Sequence, residues 1–500
     1  MMKYVSTRGQ AQPVSSAEAI KLGIAPDGGL FVPEEEVRLK CDELAAMRGM
    51  NYQERAVMVL TKFLTDFLEK EIKEYVDAAY SPERFDHPHV APVARLDNST
   101  YILELWHGPT CAFKDMALQL LPHLLTASTR KTGEKAHIAV LVATSGDTGK
   151  AALEGFKDVP GTSIIVFYPA QGVSQVQERQ MVTQEGSNVH VVAVEGNFDD
   201  AQNGVKAMFQ NQGLETAMAV RGIKFSSANS INWGRLVPQV VYYISAYLDL
   251  VSADVIEEGM PVNFVVPTGN FGNILAAFYS KQMGLPINKL ICAANANNVL
   301  TDFINSGVYD RNRSFKKTIS PSMDILISSN LERLLYEITE HNDQKVRDWM
   351  DSLRERGRYE VDSWVLERIQ NSFWSDFATD EETKATIRDT YNTYGYLLDT
   401  HTAVGKKVYD RYVRVTGDTT PTVIASTASP FKFAGSVAEA VFGMEIAAEH
   451  DEFGLSRLLS EKCNLSIPKG LQGLETRPIR HYRKVLPEEM ANVVLDILSG

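Results

Sequence analysis

The sequence predicts an α/β fold in which parallel sheets are covered by helices on both faces, and three observations carry that prediction. Short β-branched runs alternate with helical stretches through the middle of the chain. These runs are apolar almost throughout, as strands buried on both faces must be, instead of alternating with polar residues. Glycine-rich loops directly follow two of them, where open α/β sheets bind their ligands. With 500 residues, 44% of them hydrophobic, the chain can build a sizeable core in two or three domains.

The elements follow in order. After a Gly/Pro-rich opening from Ile24 to Pro33, the segment from Asp42 to Ala79 places Val57, Leu60, Leu64, Phe67 and Leu68 at helical spacing. A small helical N-terminal region over residues 1–90 is expected, closed by the Pro/His-rich boundary from Ser81 to Pro92. An α/β core over residues 91–330 then holds the strand runs His137 to Val142, Ser163 to Tyr168, Val189 to Val194, Val262 to Val266 and Leu290 to Ala294. Between Leu331 and Asp399 the strand signal vanishes, and the amphipathic stretches Leu331 to Gly357 and Glu381 to Tyr394 predict an inserted helical lobe over residues 331–399. Residues 400–500 return to the core with a last strand, Thr422 to Ala425. A peripheral tail from Phe453 is expected to end in a short helix from Pro487 to Ile497.

Charge and cysteine usage narrow the function. A net charge of −13 repels phosphate backbones and anionic lipid, so neither nucleic acid nor membrane is an expected partner. An anionic small substrate would need local positive potential from helix N-termini or a few placed Arg and Lys. Cys41, Cys111, Cys292 and Cys463 show no CxxC spacing, which points to neither a disulfide framework nor a zinc site and fits a reducing compartment. No HxxH or HExxH occurs, so no metal is expected. The first residues lack an apolar signal region and no stretch approaches the roughly 18 apolar residues of a membrane span. A cytoplasmic protein is the expectation.

Three motifs bear on chemistry. The loops from Val142 to Ala152 (VATSGDTGKAA) and from Val265 to Leu275 (VVPTGNFGNIL) let backbone approach a ligand, and the helix after each presents free N–H groups to an anion. An ordinary tight turn is the alternative for either. Thr144 stands where a Walker loop needs glycine, and Gly269 to Gly272 is only GxxG, so neither ATP nor NAD is indicated. In the third motif, Leu105 to Ala117, Lys114 follows a Gly-Pro turn and precedes a helical pattern, where its amine can face a pocket and form a Schiff base with an aldehyde. A solvated surface pair with the neighbouring Asp is the alternative. Lys150 can reach an anion or point to solvent, Arg235 can hold a phosphate or pair with an acid, and His107 can cap or pack.

Five segments in order settle how these motifs are taken together. WHGPTCAFKD (Trp106 to Asp115), TSGDTGKAA, SSANSINWGR (Ser226 to Arg235), PTGNFGN and STASPFKF (Ser426 to Phe433), with YVSTRG and PDGGLFVP near the start, resemble the threonine synthase family of fold-type II pyridoxal-phosphate enzymes. The resemblance covers nearly the whole chain and implies a PLP-dependent lyase. It implies that Lys114 forms the Schiff base with pyridoxal 5'-phosphate, and that Gly269, Asn270, Phe271, Gly272 and Asn273 hold the cofactor phosphate. Thr427 would face the pyridine nitrogen with a hydroxyl. Thr144, Ser145, Gly146, Asp147 and Thr148 would take the substrate carboxylate, and Asn229, Ser230 and Arg235 the substrate phosphate. His401 resembles a family segment near the active site.

The implied reaction turns O-phospho-L-homoserine and water into L-threonine and phosphate by γ-elimination and addition of water at Cβ, with Lys114 as the base. A fold-type II serine/threonine dehydratase or a phospho-amino-acid lyase is the alternative. The implied assembly is a monomer or a homodimer. The chain departs from the family where relatives read HPAKF after the residue matching Thr427, because Ser429 stands in place of histidine.

Overall fold

An apolar strand is stable only where both of its faces are covered, and the chain meets that demand in two separate sheets. The structure, a computed structural model, describes residues 1–171 and 173–499, with backbone alone at residue 199. The larger sheet runs in the spatial order Phe373–Phe377, Ile287–Ala294, Val262–Pro267, Thr422–Ser426, Thr100–Glu104 and Val93–Arg95. All its neighbours pair parallel except the last two strands. The smaller sheet, Arg483–Val485, Val189–Val194, Thr162–Pro169, His137–Ala143 and Ile223–Ser226, is parallel throughout. All six predicted strands are present.

Further strands correct the sequence reading, among them Arg358–Glu360, which lies in the stretch read as free of strands and pairs antiparallel with Val308–Asp310. Phe373–Phe377 lies in the stretch read as free of strands and forms the edge of the larger sheet, with Leu290 opposite Phe373 and Ala294 opposite Phe377. Ser375 and Asp376 interrupt the apolar residues of this FWSDF segment, so it escapes a search for continuous apolar runs. Arg483–Val485 adds an edge to the smaller sheet, and Met490 and Val494 of the helix Met490–Ser499 are buried against that sheet's core. The tail is thus part of the core. Its exposed Arg483 and Lys484 hide it from hydropathy while guarding the edge against further pairing. Thr100–Glu104 and Ile223–Ser226 precede the Lys114 and Asn229 segments, so these motifs also follow strands.

The helices Cys41–Met47, Tyr52–Phe63 and Glu69–Ala79 form the N-terminal region, with an antiparallel pair Tyr4–Ser6 and Phe31–Pro33. This region packs on the long buried helix Trp233–Ser252 and shares its apolar core. Arg55 fixes the contact by donating to Asp249 Oδ1 at 2.6 Å and Ser245 Oγ at 2.8 Å.

Strand order then decides which loops meet. In the larger sheet the neighbours Val262–Pro267, Thr422–Ser426 and Thr100–Glu104 end at the loops carrying Gly269, Thr427 and Lys114. In the smaller sheet the neighbours His137–Ala143 and Ile223–Ser226 end at the loops carrying Thr144 and Asn229. The two carboxyl rims face one cavity.

Candidate active site

That cavity, about 310 Å³, is lined by every site residue that the family resemblance implies except Gly146. Gly146 sits behind it with φ 137°, where a Cβ would meet the Gln177 side chain at 2.5 Å, so the position requires glycine.

Lys114 is placed by a loop tied at both ends. Thr110 gives its backbone N–H to Asp115 Oδ2 at 2.8 Å and its hydroxyl to Oδ1 at 2.7 Å, while the Phe113 N–H reaches the Thr427 carbonyl at 2.8 Å. The amine ends 3.4 Å from Ser322 Oγ and 3.7 Å from Asp147 Oδ2, with 11% of the side chain exposed. Burial lowers it to about 8, against the pull of Asp147. An amine in that range can both carry and release a proton near neutrality.

On the same rim, Phe271 adopts φ 63° and opens the helix Gly272–Gln282. A Cβ on Gly269 would lie 2.9 Å from the Ser322 carbonyl, which excludes a larger residue. The loop's carbonyls are tied back, Gly269 O by Ser328 Oγ at 2.8 Å and Asn270 O by Asn330 Nδ2 at 2.9 Å. The first amides of the helix remain as donors. Asn273 Oδ1 accepts from the Tyr242 and Tyr243 hydroxyls, yet its buried Nδ2 has no partner among the described residues. A buried donor left unmade is costly unless a ligand completes it. Thr427 lines the cavity and is 5% exposed.

The opposite rim carries the charge. Thr144 Oγ1 accepts from the amides of Gly146 and Gly149, both at 2.9 Å, so this hydroxyl shapes the loop. Asp147 lies between two amines: Oδ1 is 2.8 Å from Lys432 Nζ, and Oδ2 faces Lys114. Burial alone would raise its carboxyl, but the charges of Lys432 and Lys114 outweigh burial and hold it well below the usual carboxylate range. A negative side chain so engaged offers nothing to an anion, which leaves Ser145, Thr148 and the loop amides for that task.

Arg235, in the first turn of the helix Trp233–Ser252, is 3% exposed. One terminal nitrogen donates to Ala228 O, Nε is buried without a partner, and no acidic side chain pairs with it among the described residues. Burial lowers its guanidinium to about 10. Ser230 is within 3.3 Å of Asn330 Nδ2, so one asparagine binds both rims.

The open alternatives separate. Lys150 turns away from the cavity to Glu154 at 2.9 Å and to Gln184. His107 sits between Asp86 at 2.7 Å and Glu104 at 2.8 Å; burial opposes its charge, but these hydrogen bonds raise it to about 9. His401 lines the cavity, with Nδ1 3.0 Å from Asp399 Oδ1 and Nε2 accepting the Ser322 N–H at 3.2 Å. Ser429 caps the turn Pro430–Phe433 and is not among the residues lining the cavity.

Known proteins resemble this chain over most of its length. The family described as "Threonine synthase N terminus" matches residues 3–80, "Pyridoxal-phosphate dependent enzyme" residues 87–425, and "Threonine synthase, C-terminal" residues 402–494. The threonine synthase of Pseudomonas aeruginosa is 40% identical over 88% of this chain and 91% of its own. The chain belongs to the threonine synthase family.

A solved structure of the family, the PLP-bound threonine synthase from Brucella melitensis, superposes with a TM-score of 0.87 at 38% identity, covering 99% of both chains. Human "Threonine synthase-like 1" is 44% identical over 86% of this chain, which spans 58% of that relative's length. Three site residues of this family member escaped sequence reading. Ser322 and Asn330 come from a region with no periodic signal, whereas Lys432 had one: a lysine framed by two phenylalanines, 0% exposed in the fold.

Proposed function

We propose that the chain forms L-threonine and phosphate from O-phospho-L-homoserine and water, with pyridoxal 5'-phosphate carried on Lys114. The observation that carries this reading is Arg235, a buried guanidinium without an acidic partner, lining the same cavity as a buried amine. Uncompensated burial of such a charge is expensive, so its retention fits a site completed by an anion.

The residues present fit the cofactor. The glycine cradle and the free donor of Asn273 would hold its phosphate, Thr427 its ring nitrogen, and Lys114 its aldehyde. When bound, the group joins a substrate amine and withdraws electrons from the adjoining carbon.

The chain's own residues divide the remaining work. Lys114 takes the proton from substrate Cα, then from Cβ, and returns protons as the product forms. Ser145, Thr148 and their loop amides orient the carboxylate. Asn229, Ser230 and Arg235 hold the phosphate as it leaves Cγ, where a guanidinium fork favours the developing charge. Water then adds at Cβ. As part of the same proposal the enzyme works in the cytoplasm as a monomer or homodimer. Incubation with O-phospho-L-homoserine should release threonine and phosphate in equal amounts. Formation of pyruvate from serine or of 2-oxobutyrate from threonine, with no turnover of the phosphorylated substrate, would overturn the reading.

A further inference from the structure

Two amines share one carboxylate beside this cavity, and the second of them does not line it. Lys432, on the turn Pro430–Phe433, is wholly buried; its Nζ lies 2.8 Å from Asp147 Oδ1 and 2.8 Å from the Thr110 carbonyl. Lys114 stands 3.7 Å from the other oxygen of the same carboxylate. The row is therefore positive, negative, positive, with the tighter contact on the side away from the cavity.

Such a row has a consequence for proton transfer. An opposite charge within a few ångströms in a buried site raises an amine by about one to three pH units. Burial lowers the Lys114 amine, but Asp147 pulls it back toward the ammonium, which cannot take a proton. A second cation on the same carboxylate draws that field away and adds repulsion of its own. The other groups around Lys114 supply less of this balance. Arg235 opposes its charge from the far rim, and Ser322 Oγ bridges to Asp147 at 3.2 Å. His401 is engaged by the Ser322 N–H, Asp115 by Thr110, and Asp324 by Asn295, Asn297 and Thr318.

We propose that Lys432 is a positioning residue whose charge occupies Asp147 and so keeps the Lys114 amine available as a base. The proposal rests on the reading of Lys114 as the proton carrier. It requires opposite effects from the two ends of the ion pair, which a purely structural bond between Asp147 and Lys432 would not produce.

The test measures the pH midpoint of Lys114 acetylation by acetic anhydride, read by peptide mass spectrometry on the full chain freed of cofactor. The acid limb of kcat in the cofactor-loaded enzyme is followed in parallel. Lys432→Met should raise both midpoints by about one unit or more, Asp147→Asn should lower them, and Lys432→Arg should leave them near wild type. If Lys432→Met fails to fold, Lys432→Gln takes its place with the same expected rise. A midpoint that stays in place, or moves against these directions, overturns the proposal. Wild-type enzyme inert toward O-phospho-L-homoserine would instead remove the functional reading, with the acetylation midpoints still deciding this one.

Discussion

Asp115 and Asp147 are both buried beside the cavity, one on the rim of the larger sheet and the other on the rim of the smaller. Asp115 is satisfied by neutral donors, the amide and hydroxyl of Thr110, and burial raises its carboxyl to about 6. Asp147 is satisfied by two lysines, which hold it far below the usual range despite equal burial. The same contrast runs through the two rims. The larger sheet contributes glycines, amides and hydroxyls around Lys114, a neutral cradle built on backbone. The smaller sheet contributes a loop anchored by a charge pair and a guanidinium with no acid of its own. The difference teaches where a ligand's charge belongs: an anion gains most where the protein has left a buried cation unbalanced.

Four experiments break or sharpen this contrast, starting from the largest effect. Lys114→Ala should lower kcat by about 10⁴-fold and abolish the borohydride-reducible adduct, because one amine serves several proton transfers. Full activity in that variant would end the distinction between the rims. Arg235→Met should weaken the phosphorylated substrate by roughly 2–5 kcal/mol, read as kcat/KM, since it removes the charged partner of a buried anion. Its melting temperature should hold or rise, because the free protein no longer buries an unpaired cation.

The third experiment uses pH. Asp115 binds its proton more tightly folded than unfolded, so its contribution to stability is full below the ordinary carboxyl value near 4 and is lost as pH rises through about 6. Asp147 has the opposite sign: its contribution is present above the ordinary value and lost as pH falls. Denaturant unfolding at pH 4 and pH 7 should therefore show Asp115→Asn gaining stability relative to wild type at the higher pH. The smallest effect is expected at Lys150, whose amine is spent on Glu154 outside the cavity. Lys150→Met should keep kcat/KM within about twofold while lowering the melting temperature, as loss of one partner in a half-buried pair does. A large kinetic defect there would extend the charged rim beyond its present bounds.

Much of this was legible in the primary structure because it is local. The strand Val189–Val194 was read to the residue, since a run of β-branched residues between turns needs no distant partner to be recognised. The two glycine loops and Thr427 follow strands read from the sequence, and a ligand at a strand's carboxyl end needs glycine or a short polar side chain in that place. Edge strands were not legible. Phe373–Phe377 and Arg483–Val485 are strands only because Leu290–Ala294 and Val192–Val194 offer them free backbone groups, and half-exposed residues carry no hydropathy signal of their own.

Taken alone, the order of residues determined the α/β class through propensity and periodicity, and its resemblance to a known family named the lysine, the cradle and the loops as candidates. Only the tertiary structure decided which charges are balanced. It set Lys432 against Asp147, turned Lys150 outward, left Arg235 without an acid and drew Ser322 and Asn330 across the rims. The reason is that electrostatic energy depends on distance and burial, and both are properties of segments far apart in the chain that meet only when the sheets have formed.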